Sequence, residues 1–449
     1  MTASEKITYM PTSQLSYDPN EEKYWQPFDN EIHRTFEVCN GCRMCFKFCG
    51  TFQGLFALID DDQHDGDVKK LTLKETNQLF NQCFQCRLCE FQCPYTRRDN
   101  HEFQLDFPQL IHRFQAQKWQ RPIKLRLIER LLGDVNRMGQ LARMTFGMMN
   151  FANRITINRF FMEKIFGVHR KKDLPVFPQK TFESWAKQKG LMDKGVGGEV
   201  VLFPTCFIQN SRPDIGKDTV EVLEANQIDV RVIKGTACCG MPAWEHGDLK
   251  STRKWTKKNI KLLKPYVEKG AKILVPQPTC SLMLTKEWVE LVEPEFKADA
   301  QLIADATMSP SDYLWSIRKE ERFNTNYKSL PEGEVTYHIA CHMRAQRKGF
   351  KGRDLVRKIT GVQPKSIDEC SGHGGTYAIR VEFFDESQKW GKKAISALKE
   401  PAAIRISDCS LATMQFVQFT GEEIIHPMTF IARCYRENGF NANKKSENS

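Results

Sequence analysis

CNGCRMCFKFC at residues 39–49 and CFQCRLCEFQCP at residues 83–94 decide how this chain is read. Each contains C-x-x-C-x-x-C-x-x-x-C. Three thiolates at that spacing can wrap one face of an iron–sulfur cube, while the backbone amides between them donate hydrogen bonds to the sulfides. The fourth cysteine points away, towards a second cage. Structural zinc is the plainer alternative, because C-x-x-C pairs are also common zinc ligands. A zinc site does not need the third cysteine of each run. Two complete copies therefore favour iron and sulfide over a zinc-binding scaffold.

The two runs resemble those of bacterial two-cluster ferredoxins. The resemblance implies that fourth ligands are exchanged between runs. Cys39, Cys42, Cys45 and Cys93 would hold one 4Fe-4S cluster, and Cys83, Cys86, Cys89 and Cys49 the other. Pro94 follows the last cysteine as in ferredoxins, ending the turn and removing a competing donor; Gly50 stands in the matching place of the first run. Between the runs, LTLKETNQLFNQ at 71–82 has helical spacing and good helix formers. A helical dicluster module, as in respiratory iron–sulfur subunits, is expected. Neither run leaves an iron position open for substrate, so the module reads as an electron relay.

Working outward, the 449 residues carry 16 cysteines. Eight lie between Cys39 and Cys93, eight between Cys206 and Cys434, and none between those groups. Core thiols would scatter; these cluster. The hydrophobic share of 41% and charged share of 27% fit a globular chain with substantial cores. A mean hydropathy of −0.50 and no apolar run near 18 residues argue against an ordinary membrane-spanning helix. The first residues lack the apolar centre of a secretory signal, so a reducing cytoplasm is expected, where thiols bind metal more often than they form disulfides.

The net charge of +11 is concentrated in one place. Residues 111–190 hold 17 Lys/Arg against 5 Asp/Glu, which leaves the remainder near neutral. Leu125, Ile128, Leu131 and Leu132 follow helical spacing with Arg126 and Arg130 among them, and Met144, Met148, Met149, Phe151, Phe160 and Phe161 extend the apolar content. Such a segment can be a linker whose apolar face packs on its own protein. It can equally lie on the anionic inner face of the plasma membrane or dock a partner. No nucleic-acid-binding module accompanies it, so no nucleic acid is expected.

The C-terminal half repeats itself. A short apolar strand, VVLFP, leads to Cys206; after a helix and the strand IDVRVI comes ACCGMP with Cys238 and Cys239; KILVPQPTC supplies another strand and Cys280. VTYHIAC, DECSGHGG and IRISDCSLA repeat the plan with Cys341, Cys370 and Cys409. Cys206 matches Cys341, Cys238-Cys239-Gly240 match Cys370-Ser371-Gly372, Gln277 matches Cys409, and Cys280 matches Ala412. Alternating strands and helices predict a parallel sheet in each half, with ligands at the carboxyl ends of strands. Cys434 lies outside the repeat and reads as a buried structural thiol.

These residues resemble the CCG-domain iron–sulfur oxidoreductases, which include the second subunit of heterodisulfide reductase and the iron–sulfur C subunit of anaerobic glycerol-3-phosphate dehydrogenase. A ferredoxin module followed by a duplicated CCG domain is most similar to the latter arrangement. The resemblance implies a mixed fold: a helical two-cluster ferredoxin domain, a basic helical connector and a duplicated α/β CCG domain with parallel sheets. The expected boundaries are a mobile end at 1–30, the dicluster domain at 31–110, the connector at 111–195, CCG repeats at 196–330 and 331–440, and a tail at 441–449. It further implies single-electron relay between a flavoprotein dehydrogenase or similar partner and an acceptor such as quinone.

This sequence departs from the full five-cysteine pattern. Gln277 interrupts the first C-x-x-C, and Ser371 and Ala412 deplete the second half. Cys206, Cys238, Cys239 and Cys280 can still supply four thiolates to one further 4Fe-4S-type cluster. Cys341, Cys370 and Cys409 would need another ligand, for which His342 and His373 are local candidates. Disulfide or peroxide-linked reduction at the CCG site itself is the alternative activity. No G-x-G-x-x-G follows a strand, and neither a phosphate-loop lysine, H-E-x-x-H nor G-x-S-x-G is present. Bound FAD or NAD, zinc peptidase and serine hydrolase chemistry are therefore not expected of this chain.

Overall fold

A computed structural model describes residues 7–120, 133–192 and 194–440. The expected amphipathic repeat around Leu125, Ile128, Leu131 and Leu132, with Arg126 and Arg130, lies outside the described residues, as does the tail from 441. The described residues form two compact units. One takes residues 7–120 with Trp244–Leu249, and the other takes the rest.

The first unit is helical, built on Asp29–Cys42, Gly50–Ile59, Leu73–Asn81 and Phe107–Trp119. The helix expected within 71–82 starts where its sequence provides a cap: Thr72 accepts from the Glu75 amide while Glu75 reaches back to the Thr72 amide. Asp106 caps the last helix by accepting from the Gln109 amide, with Pro108 in the first turn. Their apolar faces meet in an aromatic core, with Phe36 edge-on to Phe80 at 5.7 Å and Phe52 against Phe107 at 4.7 Å.

Residues 7–28 correct the expectation of a mobile end. They are packed, because a cation inside the unit needs their carbonyls. The Arg113 guanidinium, 1% exposed, donates to the carbonyl oxygens of Gln14 (2.7 Å), Ser16 (3.3 Å), Lys23 (2.6 Å), Tyr24 (2.8 Å) and Gln26 (3.1 Å). Tyr24 and Phe28 are buried, and the Arg113 guanidinium lies over the Phe28 ring at 4.1 Å. The polar side chains of this segment suggest a free end, whereas its main chain is what binds.

The second unit holds two four-stranded parallel sheets. We number their strands β1 Val200–Leu202, β2 Val230–Val232, β3 Lys272–Leu274, β4 Thr307–Met308, β5 Val335–His338, β6 Lys365–Ile367, β7 Ile404–Ser407 and β8 Ile424–Ile425. The strand orders are β2-β1-β3-β4 and β6-β5-β7-β8, the same order twice. In each sheet the chain leaves the first strand towards one side and later returns to the other. The crevice beside the central pair is thus a topological switch point, where parallel sheets bind ligands. One apolar cluster spans both repeats, including Val200, Leu202, Leu274, Tyr337, Ile406 and Phe430, so the repeats share a core.

Residues 111–120 of the expected connector belong to the first unit, in helix Phe107–Trp119, and its described part from residue 133 on belongs to this second unit. Helices Val135–Met144, Met148–Ala152 and Thr156–Phe166 are fastened at both ends. Arg143 Nη2 donates to Asn210 Oδ1 at 2.9 Å on the helix that starts at Cys206. At the other end Val168 bridges Arg380, and Lys172, buried by its neighbours, donates to Gln415 and Gln418. Between these anchors the apolar side chains are not covered by the described residues: Met144, Phe146 and Met148 are 74, 89 and 72% exposed, and Leu141, Phe151, Ile157, Phe161 and Ile165 are exposed too. Among the described residues no helix is long and apolar enough to cross a membrane.

Replacing Arg113 by Gln leaves several buried carbonyls without a donor. The first unit is expected to lose about 3 kcal/mol or more in denaturant titration. Limited proteolysis should then cut within residues 7–28 first.

Candidate metal centres

The two N-terminal cysteine runs share a left-handed residue between their second and third cysteines, although only the first run starts within a helix. Cys39 and Cys42 end a helix, and Arg43 follows in the left-handed region at φ 51°, its amide donating to the Cys39 carbonyl at 2.8 Å. In the second run Arg87 holds the equivalent place at φ 57° and starts the short helix Leu88–Gln92 that carries Cys89. The left-handed residue turns the chain sharply between the second and third cysteines. Neither arginine is glycine-like, so each conformation is held by partners. Arg43 forks onto the exposed Asp60 at 2.6 Å; the buried Arg87 pairs with Glu90 at 2.6 Å.

Charge shows which thiols face one another. Burial pushes the Cys39 thiol far up, and the charges of Cys45, Cys93 and Cys42 push the same way. Cys45 is raised to about 12 by burial, then by Cys93, Cys42 and Cys49. Cys83 is raised to about 12 by burial and by Cys49, and Cys89 well above the thiol range by burial and then Cys45, Cys86, Cys83 and Cys49. Cys93 thus faces the first run and Cys49 the second, with Cys45 and Cys89 where the two sets meet. Nearby guanidiniums act the other way, Arg34 on Cys39, Arg87 on Cys83 and Arg98 on Cys93. Backbone amides of Gln85 and Tyr95 donate to Cys83 Sγ and Cys93 Sγ, each at 3.4 Å.

The C-terminal cysteines follow the carboxyl ends of the strands. Cys206 and Cys341 each open a short helix after β1 and β5. Gln277 and Cys409 are both N-cap residues of helices, after β3 and β7, and Cys280 and Ala412 are both the third residue of those helices. Gly240 and Gly372 both have positive φ, 103° and 71°. The matched positions are therefore equivalent in space.

In the first repeat four thiols converge. Cys206 and Cys238 Sγ lie 3.9 Å apart. Hydrogen bonding with Cys206 and then Cys239 lowers Cys238, whereas Cys206 and Cys239 are pushed up by Cys238, with Cys280 adding to both. In the second repeat burial raises Cys341, with Cys409 and Cys370 adding, and the Gly372 amide donates to Cys370 Sγ at 3.2 Å. Cys409 also feels Cys280, so the two thiol sets adjoin.

Polar side chains join the repeats at that point. Where the first repeat lacks a cysteine, the Gln277 amide donates to Ser410 Oγ and accepts from the Ser410 amide at 3.3 Å. Thr279 Oγ1 lies 2.8 Å from His342 Nδ1. His373 is buried and held neutral by burial and by Lys172, at about 3; its Nδ1 has no hydrogen-bond partner. Cys434 is fully buried in the apolar cluster, away from either set. None of the sixteen cysteines is paired in a disulfide, and among the described residues no three His, Cys, Asp or Glu side chains close to single-ion spacing.

Crowded, mutually repelling thiols are a poor resting state and a good ligand set, because bound metal supplies the positive charge that favours thiolates. The donor chemistry fits clusters. Such sets, arranged as a helical dicluster module and a duplicated parallel-sheet domain, define a multicluster iron–sulfur protein. The 4Fe-4S dicluster domain matches residues 38–97, and the CCG cysteine-rich domain matches residues 200–285 and 335–416. The chain is 26% identical over 307 residues to the C subunit of anaerobic glycerol-3-phosphate dehydrogenase of Escherichia coli K12, covering 68% of this chain and 76% of that protein. It is 30% identical over 212 residues to lactate utilization protein A of Bacillus licheniformis, covering 46% of this chain and 84% of that one. The Bacillus pumilus protein of the same name is 28% identical over 219 residues, 47% of this chain and 87% of the relative. The chain belongs to the CCG-domain family of iron–sulfur proteins, and it carries iron–sulfur clusters in an electron-transfer role.

The two matched glycines can be told apart by what a side chain would strike. A Cβ on Gly372 would lie 2.0 Å from the Ser387 carbonyl oxygen, which is backbone; one on Gly240 would meet the Thr252 methyl at 2.8 Å, which can move. Gly372→Ala should cost about 3 kcal/mol or more and Gly240→Ala about 1–2 kcal/mol, read as a larger fall in melting temperature for the first.

Proposed function

We propose that the chain relays single electrons between a redox partner protein, of the flavoprotein dehydrogenase kind, and an acceptor such as quinone. Iron–sulfur clusters supply reversible one-electron storage. Cys39, Cys42, Cys45 and Cys93 hold one 4Fe-4S cluster, and Cys83, Cys86, Cys89 and Cys49 the second. Cys206, Cys238, Cys239 and Cys280 hold a third. Cys341, Cys370 and Cys409 are three ligands of an incomplete set. The observation that carries this reading is the pair of four-cysteine runs in one helical unit, over which the 4Fe-4S dicluster domain matches residues 38–97. The E. coli relative is by name one part of a dehydrogenase, which supports a partner within such a complex.

The role of the surrounding residues follows from charge. Arg34, Arg87 and Arg98 favour the ionised thiols and offset the negative charge of a ligated cluster, while the left-handed turns at Arg43 and Arg87 point cysteines on either side of them inward. Catalysis of disulfide or peroxide-linked reduction by the CCG site has less support, since Gln277, Ser371 and Ala412 stand where the full pattern has cysteines and Gln277 is committed to Ser410.

The partner or membrane reading of the connector is favoured by its uncovered apolar side chains over the linker reading. Residues 133–171 carry seven Lys/Arg against two Asp/Glu around those side chains. An anionic lipid surface, such as the inner face of the plasma membrane, suits both properties.

Crossed ligation has a direct test. Reduced Cys93→Ser protein should give the EPR spectrum of Cys39→Ser protein, and Cys49→Ser that of Cys86→Ser. If Cys93→Ser instead matched Cys86→Ser, each run would bind its own cluster and the assignment would fail. Separately, the protein should float with vesicles containing phosphatidylglycerol. Phe146→Ser with Phe151→Ser should weaken that binding more than tenfold, given about 1.5–3 kcal/mol for each buried Phe; no flotation at low salt would remove the membrane reading.

A further inference from the structure

Beside Cys238 the second unit contains a cavity of about 470 Å³. Helix Val135–Met144, the helix that begins at Cys206, the loop before Cys238 and helix Leu249–Glu268 supply its walls. Four cations line it, Arg137, Arg143, Lys254 and Lys258, against two carboxylates, Asp134 and Glu183.

Both carboxylates are engaged within the lining, and only that of Asp134 is paired with a cation. Asp134 accepts from the Arg137 amide at 3.0 Å and pairs with Arg137 Nε at 3.1 Å, so those two charges cancel. Glu183 accepts from the Gly235 amide at 2.9 Å and from Gln209 Nε2 at 3.2 Å. Three cations remain without an acidic partner among the described residues. Arg143 reaches the neutral Asn210, and its Nη1 is buried with no hydrogen-bond partner. Lys254 and Lys258 stand four residues apart on one helix, a like-charge spacing that weakens a helix unless something negative answers it. An ordinary solvated basic face would keep its charges in water; here a guanidinium is partly withdrawn from it.

We propose that this cavity binds a small organic anion, carrying a carboxylate or phosphate group, held by Arg143, Lys254 and Lys258 against Cys238. The three side chains supply positive charge to a carboxylate or phosphate, the lysines without fixing its direction. The volume fits a small metabolite. The inference rests on the third-cluster reading only for its redox meaning: the molecule that meets the first CCG site is then a small anion.

The test uses full-length protein purified without oxygen. Calorimetric titration with malonate and with inorganic phosphate should each be tried; one saturable site is expected, and the tighter probe names the headgroup. Lys254→Gln with Lys258→Gln, both exposed and harmless to folding, should weaken it about tenfold, and Arg143→Gln by at least as much. No saturable binding of either probe, or binding unchanged in the lysine pair variant, overturns the inference. Bound anion should also shift the EPR line shape lost in Cys238→Ser protein; a third signal that ignores the bound anion overturns the placement against Cys238. Intact calorimetric binding with no third signal would sustain the cavity and remove the third-cluster reading, so the two failures are distinguishable.

Discussion

Crowding sulfur that cannot ionise alone is the constraint on which the rest of this protein depends. Each thiol set is crowded and at least partly withdrawn from water, and thiols such as Cys45, Cys93 and Cys49 raise the proton affinity of their neighbours. Burial and like charge both oppose thiolate formation, so a second fold-wide provision is needed: cations at the rim, amides aimed at sulfur, and bound metal between. Arg34, Arg87 and Arg98 are the rim around the dicluster thiols, and the Gln85, Tyr95 and Gly372 amides are donors to sulfur. The helices and short strands serve to hold these groups in register.

The C-terminal duplication shows how such a site erodes without losing the fold. Position for position, Gln277 caps the helix that Cys409 caps in the other repeat. Its amide no longer offers sulfur but ties the repeats together through Ser410. Ala412 simply fills core beside Phe416 and Ile367. The glycine after each Cys-Cys or Cys-Ser pair persists in both halves because the backbone there has positive φ and close neighbours. Backbone geometry outlasts chemistry.

Much of this was legible in the sequence, because ligand spacing and strand patterning are local. The cysteine runs, the capped helix after Thr72, the strands before Cys206, Cys280, Cys341 and Cys409, and the register of the repeats all depend on a few adjacent residues. Strands β4 and β8, two residues long, and β6, with polar Lys365 and Ser366 exposed, were not legible; they exist through pairing with β3, β7 and β5. The packing of residues 7–28 was hidden for another reason. Arg113 recognises their carbonyls, which every residue has, so no side chain announced it. The cavity beside Cys238 draws on five separated segments, and only tertiary structure brings Arg143 near Lys254 and Lys258.

Iron and acid-labile sulfide, counted per chain on protein purified and handled without oxygen, test the central claim most directly. Two ferredoxin-type clusters and one CCG cluster require about twelve of each, and about eight if the CCG set is empty. Zinc in place of iron, with no labile sulfide, would contradict the account.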